Sequence, residues 1–167
     1  YDKLLEQLNG VTIANDDQNP FTFNPFILDP IDVALNNGKQ KLTEHKLTQL
    51  IALVYLLCGR KEIEAVDTHD SAVVRTIIEF LVQGYYQHQF SKGSSDDSFN
   101  TFYDYTDENL KALMQTKGIR DEVFDPNLFL LLLSKYAHDG PRAYLLNSRD
   151  KRIARLSEER LVYFKLE

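Results

Sequence analysis

Cys58 is the only cysteine among 167 residues, so this sequence can form neither an internal disulfide nor a thiolate metal cluster. Its setting, VYLLCG, marks a small core residue rather than a nucleophile. Long apolar runs are also missing: the longest, within NLFLLLLSKY, is far too short to cross a bilayer. No basic, apolar and small-residue series opens the sequence in the manner of a signal peptide, and a reducing, aqueous compartment is the expectation.

The motifs of several catalytic classes are absent. There is no G-x-x-x-x-G-K-[ST] and no G-x-G-x-x-G; the seven glycines are scattered singly at element ends. His45, His69, His88 and His138 form no H-x-x-x-H pair, which would set two ligands on one helix face, and they read as surface or helix-end residues. No G-x-S-x-G elbow supports a serine hydrolase. The pairs Asp16/Asp17, Asp96/Asp97 and Glu158/Glu159 lie in polar stretches, where adjacent carboxylates are solvated rather than held across a cleft as acid and base. These absences leave no catalytic residue and no metal ligand to assign.

Positive charge is scarce as well. The 19 Lys/Arg against 25 Asp/Glu give a net charge of -6, which argues against a general nucleic-acid binder. The balance is uneven: from Arg142 onward 7 basic against 4 acidic residues give +3, while residues 1–141 carry 12 against 21, or -9. Within that basic end, Arg142, Arg149, Arg152 and Arg155 are candidates to meet a phosphate or the carboxylates of a neighbouring subunit. An ordinary charged surface is the alternative reading of the same arginines.

What is present points to one mainly helical domain, since 43% hydrophobic residues over this length suffice for a core. YDKLLEQLNG reads as a short helix ended by Gly10, VTIA as a strand, and FTF as a second short strand stopped by Asn24 and Pro25. From Thr43, as N-cap, Leu47, Leu50, Ile51, Val54 and Leu57 recur at helical spacing up to Gly59. A second helix begins near Thr68 and carries Val74, Ile77, Ile78, Leu81, Val82 and Tyr85 on one face. SKGSSDDS is a polar connector, and a third helical stretch runs from Ser98 to Gly118 with Phe99, Phe102 and Tyr103 on one side.

Asp125 caps a fourth helix with Pro126 at its first position, and its almost wholly apolar body predicts a central place in the bundle. The aromatics Tyr85, Tyr86, Phe90, Phe99, Phe102, Tyr103 and Tyr105 bracket an acidic connector, which favours core packing over a base-stacking platform. RLVYFKL closes the sequence as a strand. The layout is a strand-containing leading segment (1–26), a helical lobe (42–140), and a loop with a terminal strand (141–167). Two or three isolated strands seldom make a stable sheet, so they are expected to complete a larger one.

FTFNPF, SFNTFYDY, FDPNLFLLLLSKY, GPRAYLLNS and RLVYFKLE occur in the order and approximate spacing of the TraG-type ATPases of conjugative transposons, relatives of the VirB-type secretion ATPases. The resemblance spans essentially the whole sequence. It implies that Phe23, Asn24, Pro25, Phe26, Phe99, Asn100, Phe102, Tyr144, Leu145 and Asn147 are family-signature residues with structural roles. Phe23 and Phe26 would plug the joint between sheet and helices, and Asn24 and Pro25 would fix the turn. YDKLLEQLNG is similar to the family's segment just beyond Walker A, and RLVYFKLE resembles the strand before Walker B. Pro141 and Arg142 stand where relatives tend to show a glycine and an acid.

By that resemblance the segment is a helical subdomain of a larger RecA-like α/β domain, inactive alone. ATP and magnesium would bind the full-length parent and not this segment. The whole protein would be a hexamer on the cytoplasmic side of the inner membrane, working with other conjugation-machinery proteins to drive DNA or protein transfer. Two other readings stay open: a self-contained helical adaptor that binds proteins, and nucleic-acid contact through Arg149, Arg152 and Arg155.

Overall fold

Local capping chemistry sets the helices. In the computed structural model, which describes residues 11–15, 23–58, 68–148 and 162–166, Thr43 precedes α1 (Glu44–Leu57) and its hydroxyl accepts from Lys46 N at 3.4 Å. Helix α2 runs Thr68–Lys92 and is followed by Gly93 at φ 63°. Helix α3 (Phe99–Lys117) starts at a reciprocal Ser98–Thr101 capping box and stops at Gly118, whose φ of 66° suits a residue without Cβ. Helix α4 (Pro126–Ser134) has Asp125 as cap, its carboxylate accepting from Asn127 N at 3.0 Å and Leu128 N at 3.1 Å. Among the described residues these four helix starts agree with the sequence reading, and the chain is mainly α.

Helix α2 is the core. Ile77, Ile78 and Val82 are wholly buried, and Tyr85 and Tyr86 nearly so, as the helix packs on α1 and α3. Helix α4 does not hold the central place expected of it. Phe129, Leu132 and Leu133 are buried against α3, but Leu128 and Leu131 are 45% and 64% exposed. A nine-residue helix packed mainly on α3 buries only one face, so composition all round does not decide its depth.

Helices α2 and α3 approach closely at Gly84. A Cβ there would clash with the Tyr105 hydroxyl oxygen, while the ring carbon behind it stands at an ordinary 3.4 Å. Gly84→Ala is therefore expected to destabilise by about 1–3 kcal/mol despite alanine's better helix propensity. Adding Tyr105→Phe should return chemical-denaturation stability to within about 0.5 kcal/mol of the parent. Persistence of the full loss in the double variant would place the clash elsewhere.

Two small ladders accompany the helices. Strands β2 (Val33–Asn36) and β3 (Lys39–Leu42) pair antiparallel, from Val33 with Leu42 to Asn36 with Lys39. Asn37 (φ 51°) and Gly38 (φ 76°) make the two-residue turn. This hairpin was not among the sequence-based expectations. Strands β1 (Val11–Asn15) and β4 (Val162–Leu166) pair in parallel, Val11 with Val162 through Asn15 with Leu166. The two outer strands of the sequence are thus each other's partners.

The helix expected over residues 1–10, the stop at Gly59, and Phe21 and Thr22 of the expected second strand lie outside the described residues. Phe23, the last residue of that strand, is not in a strand. Cys58 is wholly buried and its thiol is pushed up to about 12 by loss of solvation, in keeping with a core role.

Candidate functional site

The segments holding Asn24–Phe26, Phe99–Phe102 and Leu145–Asn147 meet around the start of α3. Phe26 has no exposed surface; its ring stacks on Phe102 at 5.1 Å and meets Phe99 and Tyr85 edge-on at 5.8 and 6.3 Å. The Tyr86 hydroxyl, from α2, donates to the Phe26 carbonyl at 2.7 Å. Asn24 is also buried, and its two side-chain ends do different work. Oδ1 accepts from Phe26 N at 3.1 Å and shapes the turn, while Nδ2 donates to the Asp97 carbonyl at 2.8 Å and fastens that turn to the start of α3. Pro25 lies half-buried between them. Phe23 packs at the edge of the same core, and its amide donates to the Leu145 carbonyl at 2.9 Å.

A second clasp joins α3 to the loop after α4. Asn147 Oδ1 accepts from Asn100 N at 2.8 Å, and its Nδ2 donates to the carbonyls of Tyr136 (3.0 Å) and Ala143 (2.7 Å). Asn100 Oδ1 in turn accepts from His138 N at 2.7 Å. That bond helps hold His138 at φ 48°, a left-handed conformation uncommon for a side-chain-bearing residue. The His138 ring lies 2.6 Å from Asp104 Oδ1 on the surface. Leu145 is half-buried against the core, whereas Tyr144 is 51% exposed and takes no part in the clasp.

Asp97 was read as one of a solvated pair, and the structure corrects this. Its partner Asp96 is exposed, but Asp97 is half-buried and its Oδ1 accepts from the Tyr85 hydroxyl at 3.1 Å and Gln89 Nε2 at 2.8 Å. Burial pushes its carboxyl above the usual 3.8, while hydrogen bonds from Gln89 and Tyr85 work against the shift and Asp96 adds to it. The signal in the sequence was its position directly before the Ser98 cap, where the chain must turn inward.

A carboxyl with a raised folded pKa holds its proton more tightly when folded. Its contribution is complete below the unfolded value near 3.8 and is lost as pH rises through the folded value. Asp97→Asn keeps an acceptor for Tyr85 and Gln89 without the charge. It should therefore flatten the fall of stability above pH 3.8 and melt no lower than the parent at pH 7. Thermal melts between pH 3 and 8 check this, and a markedly lower melting temperature at pH 7 would count against it.

Arg142 is exposed and its guanidinium donates to the Tyr136 hydroxyl at 3.3 Å, beside the Asn147 clasp. Arg149, Arg152 and Arg155 lie outside the described residues, so the structure does not bring the four together. The aromatic cluster is core, as read: Tyr85, Tyr86, Phe99 and Phe102 are buried in mutual contact.

Among the described residues no group of three carboxylate, histidine or cysteine side chains gathers to hold a cation. A Cβ at Gly84 or Gly140 would meet Tyr105 or the Ser134 carbonyl, whereas Gly38, Gly93 and Gly118 have open space around them.

Fold and site together define a helical lobe whose chemistry is that of buried amides and aromatics joining distant segments. The TraG P-loop domain family matches residues 1–167, and the chain belongs to that family of conjugation ATPases. No curated protein and no solved structure matches it.

Proposed function

We propose that this chain is the helical insertion lobe of a conjugation ATPase, that it does not hydrolyse ATP itself, and that it positions the parent's nucleotide core while contacting subunits or partners. The observation that carries the reading is the parallel pairing of β1 with β4. Parallel neighbours need a crossover, and here residues 16–161, with the four described helices among them, lie between the two strands. A helical excursion whose ends return as adjacent parallel strands has the geometry of an insertion into a parallel sheet. Two strands alone are a marginal sheet, so further strands of a RecA-like core would complete it.

In this reading ATP and magnesium bind that core, and the whole protein works as a hexamer with other conjugation proteins at the cytoplasmic face of the inner membrane. Type IV secretion of DNA or protein is the work performed. Arg142, Arg149, Arg152 and Arg155 are the candidates to reach a neighbouring subunit or phosphate. The β1–β4 pairing also suits a self-contained adaptor; membership of a P-loop family favours the inserted lobe.

ATP turnover by the purified 167-residue chain tests the proposal. Release of phosphate no faster than a buffer blank is expected, against clear turnover by a longer chain that includes a phosphate loop. Turnover that stays with the short chain through successive columns would contradict it.

A further inference from the structure

Asn37 and Gly38 form the tip of the β2–β3 hairpin, and positive φ at both, 51° and 76°, is the pattern of a type I′ turn. Both residues are exposed, and open space surrounds the place of a Cβ at Gly38. Among the described residues no hydrogen bond engages the Asn37 carboxamide or the Gly38 amide.

The other asparagines over residues 23–148 are followed by a different kind of group. Asn24 precedes Pro25, which has no amide hydrogen. After Asn100, Thr101 N donates to Ser98 Oγ at 3.3 Å; after Asn127, Leu128 N donates to Asp125 Oδ1 at 3.1 Å. Asn109 lies inside α3, where the Leu110 amide belongs to the helix ladder. The Asn147 side chain is tied at both ends. Asn36 is followed by a residue that carries a side chain, whereas Asn37 is followed by glycine.

We propose that Asn37-Gly38 is a self-modification site, at which the Gly38 backbone nitrogen closes on the Asn37 side chain and converts it to aspartate and isoaspartate. The nitrogen bonds to Cγ and gives its proton to solvent. The Cγ–Nδ2 bond breaks, and Nδ2 takes up a proton and leaves as ammonia, so that a cyclic imide remains. Water then opens the ring. Addition at Cγ restores the ordinary backbone as aspartate, and addition at the backbone carbonyl carbon leaves isoaspartate. Glycine permits the attack because no side chain screens its nitrogen and its backbone turns freely. Ring closure requires the tip to open, and the hairpin frays there: each strand has four residues, and residues 34–41 are exposed while Leu42 is buried at the base.

The two products act differently on the fold. Asp-Gly suits the same turn, so aspartate keeps the hairpin and places a carboxylate near the exposed Lys39. Isoaspartate carries an extra backbone carbon, which a two-residue turn closing Asn36 on Lys39 cannot take without losing that register. The hairpin of an aged chain therefore loosens at its tip.

The test is to hold the folded 167-residue chain warm in mildly alkaline buffer, sample it over days, and map it by peptide mass spectrometry with fragmentation that resolves isoaspartate. Asn37 should convert about tenfold or more faster than Asn100, Asn109 or Asn127, with isoaspartate among the products. Trypsin should nick the aged chain after Lys39 and Lys41 faster than the fresh chain, whereas Asn37→Asp should be nicked at the fresh rate. The guanidinium-unfolded chain gives the rate of the dipeptide free of the fold. Asn9-Gly10 repeats the dipeptide outside the described residues, and mapping reads it separately. An unchanged Asn37 in the folded chain while the unfolded chain converts would overturn the proposal. So would a rate no higher than that of the helical asparagines, or equal nicking of fresh and aged chains.

Discussion

Phe26→Ala is expected to lower the unfolding free energy by about 3–5 kcal/mol, the range for removing a large side chain from a site that cannot collapse. Phe26 has no exposed surface and stands among Phe99, Phe102 and Tyr85, rings contributed by two different helices. Truncation would leave a cavity where the segment before the hairpin plugs the α2–α3 contact. Urea denaturation of the variant reads the loss directly. Tyr144→Ala serves as the contrast, because its half-exposed ring lies outside the clasp and its removal should change stability by no more than about 0.5 kcal/mol. Comparable losses in the two variants would mean that Phe26 is not the plug described.

Asn147→Ala should cost about 2–3 kcal/mol, because three backbone groups lose their partner at once: Asn100 N, the Tyr136 carbonyl and the Ala143 carbonyl. The side chain is only half-buried, and water can reach part of what is lost, which keeps the figure below the sum of three buried bonds. Asn147→Asp separates hydrogen bonding from shape. A carboxylate still accepts from Asn100 but cannot donate to either carbonyl, so it should be no more stable than the alanine variant at pH 7. Denaturation midpoints of both variants decide the point; an aspartate variant equal to the parent would remove the two donated bonds from the clasp.

Features decided by a few neighbouring residues were legible in the sequence. Thr43, Ser98, Asp125 with Pro126, and Gly118 bound their helices because a cap is made within about one turn. The hairpin is equally local, signalled by Asn37-Gly38, but its strands are only four residues each, too short for an alternating pattern to mark them.

Features depending on distant partners were not legible from the residues alone. Asn100 and Asn147 are 47 positions apart, and nothing in either segment's periodicity announces their bond. Leu131 has the same composition-based claim on the core as Leu132, yet one is 64% exposed and the other 6%. Asp97 looked solvated because its neighbours are polar, whereas its burial comes from Tyr85 and Gln89 on another helix. Asn24, Phe26, Asn100 and Asn147, drawn from three separate motifs, meet around the start of α3.

Disulfide trapping between β1 and β4 tests most directly whether the helical lobe is looped out between adjacent parallel strands. Cysteines at Thr12 and Tyr163, paired in the observed register, are introduced in a Cys58→Ala background. Neighbouring strands about 4.8 Å apart lie within disulfide reach. Cysteines at Thr12 and Leu166, three residues out of register and so about 10 Å further along, are the control. An inserted lobe predicts rapid cross-linking of the first pair and little of the second under mild oxidation. Failure of the in-register pair, or equal cross-linking of both, would contradict the parallel closure and with it the placement of this lobe inside a sheet.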